Sequence, residues 1–259
     1  MVDPQTAELL RRNAAEYETA AFLLSDPSLF MHRVSGDANR ETTAFVAAAL
    51  SYGSRRQFMP KIQWLLDVAG GDIYKYVRAR GYRDDIADSR QCFYRLYTCH
   101  DFIVMLDRLR QALDGYGSLR QLINDRGATD GLGAVRCITE WFAGTTHVIP
   151  KDTSSACKRL CMFLRWMVRD GSPVDLGLWA DIIDKRTLLM PLDTHVVQEA
   201  RRLSLLSTAS ATMTAARRLT DAMREVFPDD PLRGDFALYG YGIDADSHKT
   251  PTQPQEPTP

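Results

Sequence analysis

Apolar residues recur along most of the chain at steps of three and four, the period of a helix with one buried face. Between residues 5 and 24, Leu9, Leu10, Ala14, Tyr17, Ala21, Phe22 and Leu24 keep these steps after a start signal at Asp3-Pro4. The alanine-rich run from Glu41 to Tyr52 predicts a second helix ending at Gly53, and Phe58 to Val68 a third, stopped by Gly70-Gly71. The same spacing predicts helices over roughly 101–114, 118–124, 133–142, 155–168, 176–183, 194–203 and 212–226. Strand signals are scarce. The best, Thr187-Leu188-Leu189-Met190, runs straight into Pro191 and reads as an extended connector. The pattern therefore predicts an all-α protein. One helical domain is expected over residues 1–244, followed by a proline-rich polar tail over 245–259 that lacks the apolar residues to order itself.

Composition narrows this picture without redirecting it. The chain of 259 residues is 45% hydrophobic and 25% charged, long enough for a real core in one large domain or two small ones. A formal net charge of -1 excludes a global basic field, so a nucleic-acid partner requires locally clustered positive charge. The five cysteines form no CxxC pair; Cys157 and Cys161 share a helix face without a third ligand nearby and read as buried thiols. The opening residues carry no apolar signal region and no segment is long enough to span a membrane, so a cytoplasmic, soluble protein is expected.

One segment stands out against this background. Between Lys151 and Asp170 five basic residues face two acidic ones. Thr153, Ser154 or Ser155 can cap a helix here, with Leu160, Phe163, Leu164, Met167 and Val168 as its buried stripe. Lys158, Arg165 and Arg169 fall at steps of seven and four, along one face. A helix start carries partial positive charge that disfavours an ammonium, which makes a lysine placed there a better nucleophile than a fully solvated one. The same three cations are equally the solvated face of an amphipathic helix. Downstream, Met190-Pro191-Leu192-Asp193-Thr194-His195 puts Asp193 where a helix N-cap belongs. Asp193 is thus a cap, and beside a cavity a cap is also a rigid carboxylate able to stabilise developing positive charge.

These motifs resemble an uncharacterised bacterial family. The resemblance rests on Ser155-Ala156-Cys157-Lys158-Arg159-Leu160, Phe163 to Arg169, Val174 to Trp179, Pro191 to His195, Pro228-Asp229-Asp230-Pro231, and Asp235 to Gly240. An N-terminal block, Glu41 to Phe45 and Ser51 to Gln57, completes it, so that only the tail is left out. More distantly the chain is similar to helix-hairpin-helix DNA glycosylases, nearest in type to the lysine-dependent 8-oxoguanine enzymes. These carry a lysine early in the second helix of the hairpin and then a Pro-x-Asp segment whose aspartate caps the next helix.

That likeness implies two helical subdomains flanking a cleft and a glycosylase with abasic-site lyase activity on double-stranded DNA. Lys158 would be the Schiff-base nucleophile and Asp193 its carboxylate partner. Where the superfamily holds a phosphate on a glycine-rich turn, residues 148–155 contain no glycine, and Lys151 with the hydroxyls of Thr153, Ser154 and Ser155 would replace it. Arg159, Arg165 and Arg169 are further phosphate candidates, although Arg165 and Arg169 have Asp175 and Asp181 within reach as structural partners. Arg55, Arg56 and Gln57 would enter or flank the space left by the base. Tyr52, Trp179 and His195 are the expected base-pocket residues, Trp166 and Phe236 being better placed in a core. No metal or cofactor is expected, and the protein is expected to act as a monomer. Two other readings fit the same residues: a nucleic-acid-binding module without chemistry, and a helical interaction protein in which Lys158 and Asp193 form a structural pair.

Overall fold

Among the described residues, seven of the α-helices start on a capping Asp, Ser or Thr side chain. In the computed structural model, which describes residues 1–145 and 147–247 and side chains through Gly242, Asp3 caps α1 (Pro4–Tyr17) by accepting from the amides of Gln5 and Thr6. The chain then runs through α2 (Leu29–His32), α3 (Asp37–Leu50), α4 (Arg55–Val68), α5 (Ile73–Ala79) and α6 (Tyr82–Asp85). A small antiparallel hairpin, β1 (Cys92–Tyr94) with β2 (Tyr97–Thr98), leads into α7 (Cys99–Tyr116), which opens on a capping box of Thr98 and Asp101. There follow α8 (Leu119–Asp125), α9 (Gly131–Phe142), α10 (Lys158–Val168), α11 (Thr194–Arg202), α12 (Met213–Val226) and α13 (Arg233–Ser247). The fold is predominantly α-helical, as the periodicity predicts. Among the described residues no helix is long and apolar enough to cross a membrane. The expected tail falls, from residue 248, outside the described residues, and α13 itself continues to Ser247.

Three predicted helices change shape, each for a local reason. The run over 5–24 breaks at Glu18, whose carboxylate is drawn to Arg169 and Arg233, and resumes as a 3₁₀ turn at Ala20–Ser25. That turn sets Phe22 edge-on against Phe236 and Tyr239 of α13. The segment over 176–183 forms turns rather than a helix, because its amides are used elsewhere. Leu176 and Trp179 donate to the free carbonyls of Trp166 and Met167 at 2.7 Å, closing the end of α10. Gly177, at φ 65°, makes this possible, since a Cβ there would sit 2.9 Å from the Asp170 backbone. Finally, α10 begins at Lys158 and not at Ser155. Ser155 pairs with Thr212 in a lone β-bridge, and none of Thr153, Ser154 and Ser155 caps the helix.

The helices share one continuous hydrophobic core. Helix α1 lies along α13, with α11 and α12 beside them, while α3 packs among α2, α4, α5 and α10. Helix α10 sits between these groups. Its Phe163 meets Phe45 of α3 at 5.4 Å and Trp179 at 5.2 Å, and Phe45 stacks on Phe142 of α9. All five predicted stripe residues of α10 are buried. At about 1.5–3 kcal/mol for each large side chain removed from water, this stripe anchors the helix whose first residue is Lys158.

Candidate active site

Lys158 is the first residue of α10, and the turn that presents it is strained. Cys157, the N-cap, has the left-handed backbone φ 47°, ψ 38°, uncommon for a side chain other than glycine, and offers no side-chain cap. Its neighbours hold it there: the Cys157 carbonyl accepts from Leu160 and Cys161, Ala156 donates to Ala211, and the thiol reaches the Asp152 carbonyl. Burial pushes the thiols of Cys157 and Cys161 up, in keeping with inert, packed cysteines.

Asp193 arrives from the opposite side. The connector Met190-Pro191-Leu192 is buried, with the Met190 amide bound to Thr220 of α12, so the start of α11 is fixed to the core. One Asp193 carboxylate oxygen accepts from the Val196 amide at 2.9 Å as an N-cap. The other lies 3.3 Å from Lys158 Nζ. Capping and pairing therefore use different oxygens, and the cap fixes the carboxylate that the lysine meets. Both side chains are about one third exposed, at 34% and 36%.

Two cavities meet at this pair. An outer groove of about 720 Å³ is lined by Ser51, Tyr52, Gly53, Ser155, Arg159 and Thr194 among others. An inner pocket of about 130 Å³ is lined by Phe22, Arg165, Pro191, Val196, Asp235 and Tyr239 among others. Asp26, Arg55, Lys158, Met162, Asp193 and His195 line both, so the amine and the carboxylate stand at the neck between them.

Of the residues singled out from sequence, Tyr52, Arg55, Ser155, Lys158, Arg159, Asp193 and His195 border the groove. Arg159 donates to the Ala49 carbonyl at 2.6 Å and lies over the rings of Tyr52 and Tyr97. Arg55 crosses the mouth of the inner pocket over Tyr239. Lys151, Ser154, Arg56 and Gln57 are exposed but line neither cavity; Ser154 bonds to Asp152, and Gln57 accepts from Arg95.

Two expectations are corrected. Arg165 and Arg169 are no phosphate contacts: they are 2% and 1% exposed and lie inside a carboxylate cluster. Arg169 binds Asp230 through Nε and Nη2, Glu18 at 2.6 Å, and Asp175; Arg165 binds Asp175 at 3.2 Å and Asp235. Burial pushes the Asp175 and Asp235 carboxyls up, against the pull of these guanidiniums. Burial acts likewise on Glu18, but there Arg169 and Arg233 outweigh it and hold the carboxyl below its usual range. Asp181, the other suggested partner, binds Arg120 instead. Trp179 is no base-pocket residue: it is fully buried and donates its indole N–H to Glu41 at 3.0 Å.

Sequence reasoning passed over Phe22, Asp26, Asp235 and Tyr239 as parts of this site. The helical step of four between Asp235 and Tyr239 places both on one face, a signal present in the sequence but not decisive without a partner surface. Arg95, at φ 53° in the tip of the β1–β2 hairpin, was passed over as well; it lies 4.9 Å over the Tyr52 ring.

The arrangement defines a helical protein that offers a lysine amine, held against a helix-capping aspartate, at the junction of a groove and a smaller pocket. The chain belongs to a protein family of unknown function, DUF2400, whose profile matches residues 26–244. No curated protein and no solved structure matches it.

Proposed function

We propose that this protein is a DNA glycosylase with an associated abasic-site lyase activity, acting through Lys158 on damaged duplex DNA. The observation that carries the proposal is the 3.3 Å approach of Lys158 Nζ to an Asp193 carboxylate already oriented by its helix, at the neck between two cavities. A primary amine with an adjacent fixed carboxylate is the equipment for covalent catalysis at a sugar carbon. In this reading α9 and α10 are the two helices of a helix-hairpin-helix glycosylase fold, and the groove receives the DNA backbone.

The target nucleotide leaves the base stack before its sugar can be reached. The unprotonated Lys158 amine attacks the anomeric carbon. The bond from that carbon to the base breaks with its electron pair leaving on the base, which takes up a proton. Asp193 stabilises the cationic sugar and receives the proton that Lys158 sheds. Ring opening gives a protonated imine between Lys158 and the sugar. Loss of a proton from the adjacent carbon then expels the 3′ phosphate, and water releases the sugar aldehyde from the lysine. Arg55 and Arg159, which border the groove and keep solvent-facing surface, are the proposed phosphate contacts.

The direct test is borohydride reduction during incubation with an abasic duplex. Wild type gives a covalent protein–DNA adduct and Lys158→Gln gives none. Equal trapping by both proteins, or none by either, overturns the proposal.

A further inference from the structure

The inner pocket has a composition of its own. Its walls are aromatic and aliphatic, with Phe22 and Tyr239 meeting edge to face at 5.0 Å. Its charges balance: Asp26, Asp193 and Asp235 oppose Arg55, Lys158 and Arg165. A phosphate site carries surplus positive charge. A balanced, aromatic-walled pocket takes a neutral ring instead. The cavity volume of about 130 Å³ is well under the ~300–1,000 Å³ typical of ligand pockets, so it admits a single ring system and not a whole nucleotide.

The carboxylates differ in how much of their bonding capacity is already used. Asp235 is committed to Arg165 and is only 18% exposed at its side chain. Asp26 sits at the neck, and its Oδ1 accepts from both the amide and the hydroxyl of Ser28, at 3.0 and 2.6 Å. These two bonds orient the Asp26 carboxylate without engaging Oδ2. A carboxylate only accepts hydrogen bonds, and a ligand edge facing it must donate them.

We infer that the inner pocket is the base-reading subsite, that the touching rings of Phe22 and Tyr239 form one wall against the extruded ring, and that Asp26 selects bases presenting N–H donors on the edge turned into the protein. This rests on the proposed glycosylase activity and specifies its substrate class: a lactam N–H or an exocyclic amine, not a base alkylated on those nitrogens. It also divides the work of the site. The outer groove holds the backbone, the neck holds the reacting sugar carbon, and the inner pocket holds the leaving base.

The experiment measures two activities on the same preparations. Free-base release is followed on duplexes with a single 8-oxopurine, hypoxanthine, uracil or a purine N-methylated at its lactam nitrogen so that this edge carries no N–H, and adduct trapping is followed on an abasic duplex, which has no base to read. Asp26→Asn keeps the oxygen that binds Ser28 while replacing the other acceptor by a donor. The wild type is expected to release at least one N–H-bearing base and not the N-methylated one. In Asp26→Asn the ratio of base release to abasic trapping falls about tenfold or more. Phe22→Ala, at a half-buried position of a turn with no fully buried residue, lowers the same ratio and serves as a second variant if Asp26→Asn folds poorly. An unchanged ratio in both variants overturns the inference, as does preferential release of the N-methylated base. Trapping of the abasic duplex without release of any base overturns it too, and leaves the lyase proposal standing. Absence of trapping removes the proposed function itself.

Discussion

The two ends of α10 carry the same kind of residue and put it to opposite uses. Lys158, Arg165 and Arg169 lie along one face of the helix. At the first turn Lys158 is one third exposed, meets a single carboxylate and faces two cavities. About two and three turns later, Arg165 and Arg169 are enclosed by Glu18, Asp175, Asp230 and Asp235. A stripe of positive charge in a sequence is therefore not one feature. Its meaning depends on whether carboxylates from distant segments converge on it. Here they converge on the C-terminal end, which becomes a polar core, and leave Asp193 as the carboxylate that meets Lys158 at the N-terminal end.

The comparison is most easily broken at the buried end. Arg169→Met removes the partner of Asp175, Asp230 and Glu18 and leaves carboxylates stranded in the interior. A loss of about 3–5 kcal/mol in denaturant unfolding is expected. A loss under about 1 kcal/mol makes the cluster an ordinary surface ion pair and dissolves the contrast between the two ends.

Glu41 supplies an intermediate case, a buried carboxylate met by N–H groups rather than by a guanidinium. It accepts from the amides of Leu119 and Arg120 and from the Trp179 indole. Burial pushes it up to about 7, from an ordinary value of 4.5, against the pull of these donors. Between those two values the folded protein keeps a proton that the unfolded chain has lost. Stability therefore falls as pH rises through this window, by on the order of 3 kcal/mol. The melting temperature should drop from pH 5 to pH 8, and Glu41→Gln should flatten that drop. An equal slope in both proteins assigns the pH dependence to other groups.

At the open end the stability effect is smallest. Lys158→Gln breaks a partly solvated pair and should cost about 0–1 kcal/mol. A loss above about 3 kcal/mol turns Lys158 and Asp193 into a structural pair and supports the reading of the protein as an interaction module. Arg159→Ala should reduce the slope of log affinity against log salt for duplex DNA by about 1 if Arg159 neutralises a phosphate. An unchanged slope confines it to packing on Tyr52 and Tyr97.

The helical architecture was legible because apolar periodicity and N-caps are local: Asp193 and Thr212 both mark helix starts that the structure retains. The positions of Lys158 and Asp193 at helix starts were legible for the same reason, whereas their meeting across 35 residues was expected only from the resemblance. The structure aims the two helix starts at one cavity, which brings Lys158 and Asp193 together. What escaped the sequence is long-range. Arg169 lies 61 residues from Asp230 and 151 from Glu18, so no spacing rule could mark it as buried. Trp179 escaped because its segment gives its amides to the end of α10, which removed the expected helix and turned the indole inward to Glu41. The inner pocket draws Phe22 from near one terminus and Tyr239 from near the other, and only the pairing of α1 with α13 joins them.

The central claim is that the amine at the open end of α10 is the nucleophile. Proteolysis and mass spectrometry of the borohydride-trapped adduct test it most directly, because they locate the modified residue. A reduced sugar remnant on Lys158 is the expected result. A remnant on the N-terminal amine or on another lysine, such as Lys151 or Lys185, would contradict it.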